Sequence, residues 1–180
     1  ALEKAVSIWS AEGKKALIVA DPTMVQLGNT GKVAETLKKA GLDSVVYSDI
    51  TGEPTDKMID AGLCLYKAEG CDCLVAIGGG SALDSMKAIG ALAANGGKIT
   101  DYMGKEISGS FPPMAAIPTT AGTGSEATKF TVITDAKTDV KMLLKGDALL
   151  PDLAIVDYTN TKSSPKSITA STGLDALTHA

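Results

Sequence analysis

The chain has 180 residues, 44% of them hydrophobic and 21% charged, with 19 glycines and 7 prolines, a balance that suits one α/β domain rich in tight turns and excludes a disordered or fibrous chain. A formal net charge of −4 with no run of Lys or Arg excludes the electrostatic footprint of a nucleic-acid binder and favours a small-molecule partner. Apolar runs such as 73–77 fall far short of the ~20 residues that a membrane span needs, and no signal-peptide pattern opens the chain, so no membrane partner and a cytoplasmic location are expected.

In chain order, a helix is expected over 2–11, then a strand at 16–20 that runs straight into Asp21 and Pro22. Apolar residues at three- and four-residue spacing predict helices over 31–40, 55–69 and 82–95, and β-branched runs between them predict strands at 44–48, 73–77 and 115–118. That alternation is the rhythm of βαβ units on a mostly parallel sheet. Residues 129–134 and 139–144 are two extended runs around the polar turn 135–138, and so predict an antiparallel hairpin. A last strand is expected at 153–157, then a polar stretch, then a helix opening at Thr172 that has only nine residues and reads as cut short. Cys64, Cys71 and Cys73 are odd in number and lie in or beside apolar segments, which disfavours a disulfide framework.

Four segments could carry chemistry. Residues 78–84, GGGSALD, join a buried strand to a helix start, where glycines admit an anion close to the backbone and helix-terminal N–H groups supply donors. The motif is neither a P-loop nor G-x-G-x-x-G, and Ser81 with Asp84 also matches a simple capping pair. Asp21, at the carboxyl edge of its strand, could accept from adenosine ribose hydroxyls and repel a 2′-phosphate, or merely cap a helix whose first residue is Pro22. Residues 118–126, PTTAGTGSE, crowd small hydroxyl side chains after a strand, as a loop against phosphate and ribose would, or as an ordinary turn would. Asp175 and His179 are four apart, on one helix face, and could ligate a divalent first-row metal; Thr172 with Asp175 alternatively reads as a capping box.

Taken in order and spacing, Asp21, GGGSALD, PTTAGTGSE, Leu150 with residues 151–157, and the terminal TGLDALTH over 172–179 resemble the iron-containing (group III) alcohol dehydrogenase family across essentially the whole chain. The resemblance implies a Rossmann-like α/β dinucleotide-binding domain over 1–168, and, from 169 to 180, the first helix of an all-helical metal-binding domain. It implies Asp21 on the adenosine ribose. The 78–84 loop would hold the cofactor, with Gly78, Gly79, Gly80 and Ser81 around the pyrophosphate and Asp84 in the same site. Thr119, Thr120, Thr123 and Ser125 would serve the phosphate and nicotinamide side, and Lys141 and Leu150 would line the nicotinamide pocket; the bland alternatives for these two are a surface lysine and a core leucine. Asp175 and His179 would be the first two metal ligands, with two further histidines expected past the end of this chain, whose only histidine is His179.

The activity implied is hydride transfer between a small primary alcohol or diol, or its aldehyde, and NAD, assisted by a divalent metal, Fe(II) ahead of Zn(II). The intact parent is expected to assemble from several copies. Glycerol dehydrogenase or dehydroquinate synthase chemistry is an alternative within enzymes. NAD binding without turnover is the alternative outside them, and for these 180 residues alone it follows from a metal site that lacks ligands.

Overall fold

In the computed structural model residues 14–180 are described, and the helix expected over 2–11 lies outside them. Strand β1 (Lys15–Ala20) leads to the short helix α1 (Pro22–Gln26) and to α2 (Asn29–Lys39), and β2 (Asp43–Tyr47) leads to α3 (Asp56–Ala68). Strand β3 (Cys73–Gly78), helix α4 (Gly80–Asn95) and strand β4 (Met114–Pro118) extend the pattern. Strands β5 (Phe130–Asp135) and β6 (Val140–Lys145) form a separate antiparallel hairpin, followed by β7 (Leu153–Ala154) and α5 (Lys166–His179).

The main sheet is parallel throughout, in the order β2-β1-β3-β4-β7. With helices on both faces it has no solvated side, which is why β3 and β4 are buried at every position and β1 at every position after Lys15. The two-residue alternation of a strand divides the core. Leu17, Val19, Leu74, Ala76, Met114 and Ala116 pack with α3, α4 and the hairpin, whereas Ala16, Ile18, Ala20, Val75, Ile77 and Ile117 pack with α1 and α2. Helix α4 lies between sheet and hairpin, and every residue from Ala82 to Leu92 is buried.

Most element ends fall within two residues of the sequence expectation, and three differences have a visible cause. The hairpin sits one residue later, because Asp139 takes a left-handed conformation (φ 58°) and its N–H closes the turn on the Asp135 carbonyl at 2.8 Å. Strand β7 stops at Ala154, and Asp157 instead caps a 3₁₀ turn over Tyr158–Thr161 by accepting from the Thr159 N–H at 2.9 Å. Helix α5 begins at Lys166, directly after Pro165, so Thr172 is an interior residue; its hydroxyl donates back to the Ile168 carbonyl at 2.9 Å and caps nothing.

Candidate functional site

After β1 the chain turns to one side of the sheet to form β2, and after α3 it returns to form β3 on the other side of β1. The loops following β1 and β3 therefore part from each other, and such a switch point opens a crevice at the carboxyl edge of a parallel sheet. Register pairs Ala20 with Ile77 and Gly78 with Pro118, so Asp21, Gly79 and Thr119 emerge side by side. The Thr119 N–H donates to the Gly78 carbonyl at 2.9 Å and fixes the two loops together.

Asp21 does cap α1: its Oδ1 accepts from the N–H groups of Thr23 at 2.8 Å and Met24 at 3.1 Å. Its Oδ2 leans across the crevice and would stand 3.1 Å from a β-carbon on Gly78. The three glycines are not equivalent. A β-carbon on Gly78 would meet Ala82 Cβ at 2.8 Å, and one on Gly80 would meet Thr123 Cγ2 at 2.9 Å, so close packing requires glycine at both. Gly79 has φ −77° and ψ −172°, which any residue adopts, and a β-carbon there would make only ordinary contact with Thr120, 3.5 Å from its Oγ1. Helix α4 has no side-chain cap, and the expected Ser81–Asp84 capping pair does not form; Asp84 bonds the hairpin instead. The first-turn amides of α4 remain donors for an anion.

Two cavities meet at this helix start and share Gly80 and Ser81. One, of about 470 Å³, lies between Asp21, Gly79, Thr119 and Thr120 and is walled by Ile50, Ser164 and Ile168. The other, of about 730 Å³, runs past Asp84, Thr123 and Ser125 along the hairpin residues Val132 and Lys141 to Asp175 and His179. The loop 118–126 abuts α5, since a β-carbon on Gly122 would lie 2.5 Å from the Thr172 carbonyl oxygen. That contact sets Asp175 and His179 at the far end of the larger cavity, with His179 Nε2 3.4 Å from Asp175 Oδ1.

Asp84 is only 9% exposed; its Oδ2 accepts from the Val132 N–H at 2.9 Å, and its Oδ1 is buried with no hydrogen-bond partner in a wall of the larger cavity. Burial raises its pKa, opposed by the Val132 amide, Lys87 and Ser125. Lys141 pairs with Glu53, on the loop before α3, at the rim of the same cavity. Leu150 is half-exposed after the 3₁₀ turn Asp147–Leu149, is thus no core leucine, and lines neither cavity; Gly78 lies under the loop and lines neither. The other site residues expected from sequence all fall on one cavity or the other.

The family model for iron-containing alcohol dehydrogenases matches residues 1–158. The chain belongs to this family. It is 45% identical over 168 residues to an NAD-dependent methanol dehydrogenase of Bacillus methanolicus, covering 93% of this chain and 44% of that protein. A crystal structure of 1,3-propanediol oxidoreductase superposes with a TM-score of 0.94 at 35% identity, covering 99% of this chain and 47% of that one. A sulfoacetaldehyde reductase of Bifidobacterium kashiwanohense, solved with NAD+, superposes at 0.91 with 34% identity over 98% of this chain and 47% of that one. The chain thus spans about half the length of the relatives it matches.

For an iron-containing family the donor chemistry of Asp175 and His179 fits, since carboxylate and imidazole one helical turn apart both suit a divalent first-row metal. Among the described residues no third His, Cys, Asp or Glu joins them. Glu53 and the buried Lys87 were not legible as site residues. Glu53 lies in no motif and is recognisable only through a pairing 88 residues away, and Lys87 meets its partners 41 and 43 residues downstream.

Proposed function

We propose that this chain is the nucleotide-binding half of an NAD-linked, metal-assisted alcohol dehydrogenase, transferring a hydride between a small primary alcohol or diol, or its aldehyde, and the nicotinamide. The observation that carries the reading is that the two cavities share Gly80 and Ser81 in their walls, with Asp21 on one and Asp175–His179 on the other. Bound there, NAD would supply the hydride acceptor and the metal, Fe(II) ahead of Zn(II) on the family's name, a Lewis acid for the alcohol oxygen.

The chain's own groups have distinct parts. Asp21 Oδ2 takes the adenosine ribose hydroxyls and disfavours a 2′-phosphate, so NAD is preferred to NADP. The amides at Gly79, Gly80 and Ser81 take the pyrophosphate, over Gly78 as the tight turn, and Thr119, Thr120, Thr123 and Ser125 present hydroxyls along the groove. Asp84 Oδ1 is an acceptor for a donor on the nicotinamide half, and Lys141 closes that pocket's rim. Asp175 and His179 hold the metal. Helix α5, which buries no residue and exposes Leu174 and Leu177, is read as the first helix of a second, helical domain.

NAD binding without turnover is the second reading, favoured by the count of two metal ligands among the described residues. Anaerobic purification of the intact parent enzyme with metal analysis, followed by NADH formation from a short primary alcohol or propanediol with NAD and with NADP, tests the proposal. Turnover that requires metal and prefers NAD supports it; turnover unaffected by a chelator, or equal kcat/KM with both cofactors, contradicts it.

A further inference from the structure

The segment before α3 is laid against the hairpin like a short third strand. Thr55 pairs with Thr134 of β5 in a parallel bridge, the Thr134 N–H donates to the Pro54 carbonyl at 2.8 Å, and the Ala136 N–H donates to Asp56 Oδ1 at 3.0 Å. Thr134 in turn faces Lys141 in the register of the hairpin. Main-chain bonds thus hold Glu53, two residues before Thr55, beside the hairpin, and its carboxylate pairs with the Lys141 ammonium. Strand alternation gives the hairpin two faces. Ile133, Met142 and Leu144 pack into the core, whereas Phe130, Val132 and Leu143 line the larger cavity together with Lys141. Among the described residues lining that cavity Lys141 is the only lysine or arginine, and the remaining ionisable side chains are Glu53, Asp84, Asp175 and His179. His179 already faces Asp175 at 3.4 Å.

We infer that Glu53 sets the charge of the substrates the larger cavity accepts. By neutralising Lys141 it leaves the hairpin wall to neutral alcohols with short apolar chains, and it turns away molecules that carry a carboxylate, sulfonate or phosphate. An anionic group beside that wall would meet apolar side chains, carboxylates and a lysine already paired, and would give up its hydration without gaining a free lysine. The inference rests on the reading of this cavity as the place of hydride transfer and adds the substrate class to it. Both side chains of the pair are more than half exposed, so the pair contributes little to stability and acts on which charge enters. The discrimination should weaken as added salt screens it.

The test compares two substrates of equal chain length, neutral 1,3-propanediol and anionic 3-hydroxypropanoate, on the intact parent enzyme with saturating NAD. The diol should be preferred in kcat/KM. Glu53→Gln should narrow that preference at least about fivefold by raising kcat/KM for 3-hydroxypropanoate, and adding Lys141→Gln should restore it, because the freed ammonium is what draws the anion. Calorimetric titration of the NADH complex with 3-hydroxypropanoate should show the same gain in affinity without turnover. A ratio and an affinity that Glu53→Gln leaves unchanged, or a gain that persists once Lys141 is also replaced, overturn the role of Glu53. So does a Glu53→Gln enzyme that binds NADH more tightly but 3-hydroxypropanoate no better, which would put the pair on the cofactor. Absence of turnover with any alcohol would instead contradict the hydride-transfer reading, and the titration would still decide the role of Glu53.

Discussion

Gly79→Val separates binding from folding at the phosphate loop. The backbone of Gly79 is in a region open to any residue, and its β-carbon would meet nothing closer than Thr120 Oγ1 at 3.5 Å, so the folded chain has room for the added atoms. Its stability should change by less than about 1 kcal/mol. The two valine methyls extend past that β-carbon into the smaller cavity, where a pyrophosphate must come within hydrogen-bonding distance of the α4 amides. Losing one charge-assisted N–H bond to phosphate costs roughly 1.5–3 kcal/mol, so NADH affinity should fall by about ten- to 150-fold. Calorimetric titration with NADH, beside a urea melt of the same preparation, measures both quantities. A variant that melts cooperatively with unchanged midpoint and binds NADH as the parent does would refute the placement of the pyrophosphate.

Gly80→Ala should behave oppositely at the level of the fold, because its β-carbon would lie 2.9 Å from Thr123 Cγ2; a loss of about 1–3 kcal/mol in denaturant unfolding is expected, and unchanged stability would contradict the packing argument. Asp21→Gly costs the α1 cap only a few tenths of a kcal/mol yet should relax the preference for NADH over NADPH, read as the ratio of the two dissociation constants. Lys87 links stability to pH: burial pushes it down to about 8 in the folded chain from 10.5, so the unfolded state binds more protons between these values and stability should rise with pH across that window. The gain is at most roughly 3 kcal/mol, offset above pH 10 by Tyr47 and Tyr66, which burial raises to about 12, and Lys87→Met should abolish it in urea melts at successive pH values. The 180-residue chain by itself should hold divalent metal weakly and oxidise no alcohol, because the proposed ligands among the described residues, Asp175 and His179, number two where about three or four are needed; stoichiometric metal by elemental analysis would contradict the count.

The parallel sheet was legible because its strands are short β-branched runs between helical periodicities, and the family assignment because its loops keep their order and spacing. Helix α1 was visible only as a cap signal, Asp21 before Pro22, since five residues are too few to show a period. The start of α5 was misplaced because Thr172 and Asp175 satisfy a capping pattern that Pro165, seven residues before Thr172, had already made unnecessary. Asp84 matched its motif, but its unpartnered oxygen and its hold on Val132 depend on residues 48 positions away, which no local pattern encodes. Lys87 reads in sequence as one more polar residue of a helix and becomes distinctive only once the hairpin is laid over it.

The most direct test of the account is calorimetric titration of this chain with NADH and with NADPH. One NADH per chain, bound at least about tenfold more tightly than NADPH and weakened by Gly79→Val, is the result expected from a groove running from Asp21 across Gly79, Gly80 and Ser81 to the larger cavity. A cooperatively folded chain that binds neither nucleotide, or binds both alike and is indifferent to Gly79→Val, would contradict it.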